Sequence, residues 1–197
     1  MKIIGFVYNN GEWRTESPTP PLPRREGGSD SNRPCGWSMV LKGDSCMLNG
    51  RKPMFIPEWT HELGMTPCLV LRVSRLGKGI SKRFAGRYYD AVAPGADFAA
   101  LDLLRRAQAE GDSWTQAIGF DYSLALGEWG EPSAFSHQFS DYLMTPEEAI
   151  EEASRWMTIR QGDLIYIQAK QSPQKVEKEE IISIAVNGEE KLYCKIK

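Results

Sequence analysis

Three aspartates in this chain are candidates for chemistry. Asp97, Asp102 and Asp121 lie in or beside apolar and aromatic sequence, in "DFAALDLL" and "GFDYS". Carboxylates brought together from converging elements bind hard divalent cations such as Mg²⁺ or Ca²⁺ through oxygen. Asp97 reads equally well as the cap of a helix. The chain has 2 histidines. His61 in "WTHELGM" and His137 in "FSHQF" both lack the context of a nucleophile elbow and read as solvent-facing or structural. Cys35, Cys46, Cys68 and Cys194 form no C-x-x-C pair, so a zinc site is not expected. The turn "GKGISK" (77–82) lacks the spacing of a Walker phosphate cradle. Glu147-Glu148, Glu151-Glu152 and Glu179-Glu180 read as surface charge, because paired catalytic carboxylates need a cleft.

Strands must do most of the positioning. "KIIGFVY" (2–8), "WSMVLKG" (37–43), "PCLVLRVSRL" (67–76) and "LIYIQA" (164–169) read as strands from their β-branched and aromatic content. In the third, Leu69, Leu71 and Val73 alternate with Val70, Arg72 and Ser74, so one face is apolar. Asn49-Gly50 predicts a hairpin over 44–57, and Asn187-Gly188 predicts another over 180–197. A helix is expected over 97–111, capped by Asp97 and ended by Gly111. A second is expected over 145–158. There Thr145 is the cap, Pro146 takes the first position, Glu148 completes a capping box, and Ile150, Ala153 and Met157 form the buried stripe. Strands outnumber helices and do not alternate with them, which argues against a doubly wound parallel fold.

The 197 residues suit a single domain spanning 1–197, enough to bury a core without disulfides. Within it, 15–34 is a Pro/Gly/Ser-rich surface loop; its "PPLPRR" has the form of a polyproline ligand. Charged residues make up 25% and the net charge is −2, so the overall balance predicts neither a nucleic-acid nor a membrane partner. No stretch approaches the ~20 apolar residues of a membrane helix. The N-terminus does not read as a signal peptide, and free cysteines in apolar runs suit a reducing compartment. A cytoplasmic location is expected.

Taken in order, several segments resemble the fumarylacetoacetate hydrolase-like family. "MKIIGFVYNNGEW" is similar to its first strand and the G-x-N-Y-x-x-H stretch that follows. "WSMVLKG" is similar to the strand ending in a substrate-facing Lys-Pro, which places Lys42 on that lysine. "TPCLVLRVSRLGKGI" (66–80) resembles E-x-E-L-x-V-V-I-G-x-x-G-K-x-I. "YYDAVAPGADFAALDLLRRAQAEGDSWTQAIGFD" resembles the segment carrying N-D-x-S-A-R-D and W-x-x-A-K-x-F-D, and "RQGDLIYIQAK" resembles G-D-x-I-x-T-G-T-P. The likeness implies an α+β, mainly β fold: a mixed β-roll with a few short helices, commonly dimeric. It also implies hydrolase or isomerase chemistry on 2-oxo and 2-hydroxy-dienoic acids around a carboxylate-held Mg²⁺ or Ca²⁺.

The family's chemical residues are largely replaced. Its two metal-binding glutamates fall on Thr66 and Cys68, while its metal aspartate is kept as Asp97. Its histidine base falls on Trp13, and its lysine before F-D falls on Ile118, although Trp114, Phe120 and Asp121 fit. The arginine and glutamine around the second aspartate, Asp102, fall on Leu101 and Leu104, and the T-G-T-P turn on 167–170. One carboxylate with a hydroxyl and a thiol is a poor set for a hard cation. Tryptophan accepts no proton. The expectation is therefore a fold-retaining, non-catalytic homodimer with no cofactor, binding a small carboxylic acid or a partner subunit. The alternative is an active hydrolase, isomerase or decarboxylase with a rearranged metal site drawing on Glu58, Glu62, Asp102 or Asp121. A third reading makes the 15–34 loop the useful surface of an interaction protein.

Overall fold

A computed structural model describes residues 1–8 and 36–197. The loop at 15–34, Trp13 and Cys35 lie outside the described residues. The strands are β1 Ile3–Tyr8, β2 Trp37–Lys42, β3 Met47–Asn49, β4 Leu63–Val73, β5 Tyr89–Ala100, β6 Leu124–Leu126, β7 Leu164–Gln168, β8 Gln174–Lys175, β9 Ile181–Val186 and β10 Glu189–Lys195. The helices are α1 Lys82–Ala85, α2 Leu101–Glu110, α3 Thr115–Ile118 and α4 Pro146–Trp156, with a 3₁₀ segment over Pro132–Asp141.

One mixed sheet organises the chain, in the order β2-β1-β7-β4-β5-β6-β3, with β8 paired to the end of β4. The β1–β7 and β3–β6 pairs are parallel; the other pairs in this sheet are antiparallel. A separate hairpin joins β9 and β10. The architecture is α+β, dominated by strand, as the sequence predicts.

Side chains alternate across the sheet as strand geometry requires. Ile4, Phe6, Leu69, Leu71, Val73, Ile165 and Ile167 point outward and pack beneath Ala149, Ile150 and Ala153 of α4. Met65, Ala96 and Phe98 lie under the β9–β10 hairpin with Ile182, Leu192 and Cys194. The opposite parity, Ile3, Val7, Cys68, Val70, Leu124, Leu164 and Tyr166, forms an inner core. Val40 of β2 reaches Trp114 and Ile118 on and beside α3, so the β2 edge curls toward the β5–β6 side and closes a roll.

The capping box of α4 is present: Thr145 accepts from the Glu148 amide and Glu148 accepts from the Thr145 amide. Met157 terminates that helix and is only half-buried, so the buried stripe is carried by Ala149, Ile150 and Ala153. Asn187 and Gly188 have φ of 53° and 82°, as a type I′ turn requires.

Two local expectations fail. Asn49-Gly50 makes no hairpin. β3 instead pairs parallel with β6, and beyond Pro53, which cannot donate to a ladder, Met54 and Ile56 donate to Lys195 and Lys197. The 97–111 helix begins only at Leu101. Residues 97–100 complete β5, with Asp97 opposite Thr66 and Ala100 opposite Leu63. Asp97 is therefore not a cap. Pairing with the long neighbouring strand gives its backbone a full set of partners, and Gly111, in the left-handed region at φ 73°, ends the helix as expected.

Candidate functional site

Asp97 lies on the inner face near the end of β5, and its side chain is 3% exposed. Cross-strand register puts Thr66 opposite it on β4 and Leu124 opposite it on β6. A carboxylate so placed has lost its water and needs partners from the protein.

Two side chains supply them. Lys42, the last residue of β2, donates from Nζ to Asp97 Oδ1 at 2.5 Å. Gln168, the last residue of β7, donates from Nε2 to Asp97 Oδ2 at 2.7 Å. The Tyr8 amide donates to Gln168 Oε1 at 2.7 Å, which turns the Gln168 amide nitrogen toward the carboxylate. Lys42 Nζ donates also to the Ser123 carbonyl and to Ser123 Oγ, both at 3.0 Å. Ser123 Oγ in turn donates to the Ile118 carbonyl at 2.9 Å. An ammonium has three N–H groups. All three are engaged here, and the lysine side chain is 0% exposed.

The remaining neighbours are hydroxyls and a thiol. Thr66 Oγ1 and Tyr166 OH are buried and make no hydrogen bond among the described residues. Burial pushes the Tyr166 phenol well above its ordinary range, and the nearby Asp97 carboxylate and Cys68 add to this. Burial likewise pushes the Cys68 thiol well up, Asp97 reinforcing it and Lys42 opposing it. Both groups stay protonated. The Tyr166 ring covers Gly5, where an added Cβ would come within 2.1 Å of Cζ.

A divalent cation fits this donor set poorly. It needs several oxygen ligands, preferably anionic. Both Asp97 oxygens already hold donors from the protein, Thr66 offers a neutral hydroxyl, and Cys68 is a protonated soft donor. Among the described residues no group of three or more His, Cys, Asp or Glu side chains could hold a metal. Two of the four acids named for a rearranged site, Glu62 and Asp102, are occupied elsewhere. Glu62 pairs with Arg105, and Asp102 accepts from the Thr60 hydroxyl at 2.6 Å and the His61 amide at 3.0 Å.

The structure thus brings Lys42, Thr66, Cys68 and Asp97 together, and adds Ser123, Tyr166 and Gln168, which sequence reasoning did not single out. It does not bring Asp102 to the group. Trp13, which the family likeness sets on the base, lies outside the described residues.

Comparison with solved structures yields matches over the whole chain. Fumarylpyruvate hydrolase from Pseudomonas aeruginosa, solved in complex with Mn²⁺ and pyruvate, matches with a TM-score of 0.75 at 17% identity, covering 99% of this chain and 88% of that one. The 5-carboxymethyl-2-hydroxymuconate delta-isomerase from Mycobacterium smegmatis matches with a TM-score of 0.73 at 18% identity, covering 99% and 78%. The fold is that of the fumarylacetoacetate hydrolase-like proteins. A protein assigned to that family from Yersinia pestis matches with a TM-score of 0.78 at 15% identity, covering 100% and 92%. By sequence, no family model and no curated protein matches the chain.

Proposed function

We propose that this protein is a fumarylacetoacetate hydrolase-like pseudoenzyme: it keeps the fold, has exchanged divalent-metal chemistry for an internal ion pair, and acts by binding a small carboxylic acid as a homodimer. One observation carries the reading. The retained aspartate, Asp97, is bound on one oxygen by Lys42 and on the other by Gln168. The Lys42 ammonium supplies the positive charge that a buried carboxylate requires. With both Asp97 oxygens and all three Lys42 N–H groups committed to protein partners, the pair offers no open position for the Lewis acid that would polarise an oxo acid or hold an enolate.

Isothermal titration with Mg²⁺, Mn²⁺ and Ca²⁺, beside turnover assays on 2-oxo and acylpyruvate acids, tests this. No metal heat at millimolar concentration and no turnover are expected. Saturable metal binding lost in Asp97→Ala, or turnover lost in that variant, would overturn it in favour of an active hydrolase or isomerase with a rearranged site.

A further inference from the structure

A net charge of −2 conceals a local excess of the opposite sign. The segment from the end of β4 through α1 carries Arg72, Arg75, Lys78, Lys82, Arg83 and Arg87, and no acid lies between Arg72 and Arg87. The acids that approach from neighbouring elements are engaged. Glu148 of α4 pairs with Lys82, Glu151 accepts from the Lys82 amide, Glu147 accepts from the Tyr89 hydroxyl, and Asp90 of β5 pairs with Arg72. Arg75, Lys78 and Arg87 have no carboxylate partner among the described residues. Lys78 donates to the Arg155 carbonyl at 3.0 Å, which leaves two of its N–H groups. The Arg87 guanidinium lies 5.5 Å from the centre of the Phe84 ring, a contact that leaves its N–H edge available.

These three cations line a pocket of about 470 Å³, together with Gly79, Ser81 and Phe84. The pocket lies on the α4 side of the sheet, because its floor residue Ile80 belongs to the core under α4; Asp97 faces the other side. Its frame is fixed. The Gly77 amide and carbonyl both bond Ile159, the Gly79 amide donates to the Ser154 carbonyl at 2.9 Å, and the Ile80 amide donates to the buried Ser154 Oγ at 2.9 Å. A Cβ on Gly77 would strike Ile80 and Tyr88. The cations are therefore displayed from a turn that is held before any ligand arrives.

We propose that this pocket is a binding site for a small, multiply charged oxyanion: a phosphate ester or a polycarboxylate, gripped by Arg75 and Arg87 with Lys78 completing the charge. Guanidinium forks match both oxyanions in geometry. A concave site of this volume suits a small molecule.

The test is an amide NMR titration of the full chain with inorganic phosphate and, separately, citrate, at constant ionic strength. Saturable shifts are expected at Gly77, Gly79 and Ser81. In the Arg75→Ala/Arg87→Ala double variant, affinity should fall about tenfold or more, since each removes a charge-assisted contact. Both side chains are exposed, so the variant should melt with the wild type, and Arg51→Ala/Arg106→Ala, at exposed positions outside the pocket, serves as a charge-matched control that retains binding. Shifts that do not saturate, or that persist in the double variant, would overturn the proposal. So would a nucleic-acid duplex or a phosphatidylserine vesicle that binds through the same arginines more tightly than either anion.

Discussion

Lys42 and Asp97 stand on strands four steps apart in the sheet, yet their charged atoms meet at 2.5 Å. In a flat sheet four steps span roughly 19 Å, at about 4.8 Å each, beyond a lysine's reach. The contact exists because the sheet rolls. Breaking a buried pair from one side leaves an uncompensated charge. Lys42→Met and Asp97→Asn should each destabilise by about 3–5 kcal/mol in urea unfolding, and the double variant by less than the sum. Additive losses would show that the two groups do not interact.

Among the described residues the buried hydroxyls of Thr66 and Tyr166 meet no partner at full hydrogen-bond geometry, although the Tyr166 phenol lies close enough to the Asp97 carboxylate to be raised by it. Replacing an unsatisfied polar group by an apolar one of the same shape is near neutral or stabilising. Thr66→Val and Tyr166→Phe should therefore match or exceed the wild type in stability. A loss above about 1 kcal/mol in either would mean that the hydroxyl has a partner in solution.

Gly5 is needed where it stands because Tyr166 occupies the space of its missing side chain, and both belong to the parallel β1–β7 pair. Gly5→Ala must displace the ring, costing about 1–3 kcal/mol as overpacking does. In Tyr166→Ala the same Gly5→Ala change should cost little, and thermal melts of the four proteins would show it.

Asp163 sets part of the acid limit. Burial alone would raise its carboxyl, but hydrogen bonds from the Lys2 side chain and amide and from the Arg160 amide outweigh burial and hold it below the ordinary value of 3.8. A carboxyl depressed in the folded state stabilises fully above its unfolded pKa and ceases to do so as pH falls through the folded one. Stability should thus decline below about pH 4 from this residue. Asp163→Asn should be less stable at neutral pH and show a flatter acid limb in pH-dependent urea unfolding.

What the sequence made legible was local or periodic. The capping box at Thr145 and Glu148 and the turn at Asn187-Gly188 act within a few residues and appear as expected. Leu69, Leu71 and Val73 declare their face by alternation and do lie in the core under α4. The same dipeptide misleads at Asn49-Gly50, where the chain beyond it is claimed by the C-terminus. β5 carries Pro94 and Gly95, residue types that strand interiors seldom hold, and Gly95 is what lets Cys68 fit beside it: a Cβ there would lie 2.7 Å from Cys68 Sγ. Thr66, Cys68 and Asp97 could be assembled through family likeness. Ser123, Tyr166 and Gln168 carry no local signal, since each joins the group through strand order alone.

The parallel pairing of β1 with β7 ties Ile3 to Leu164 and Phe6 to Ile167. On a ribosome, β1 must wait for every residue up to β7 before its central neighbour exists. Until then its apolar residues, Ile3, Ile4, Phe6 and Val7, have only β2 to lie against. Contacts of such long sequence separation fold slowly. The roll therefore closes only once β7 has been made, and β1 is exposed to capture by chaperones or by another chain in the interval.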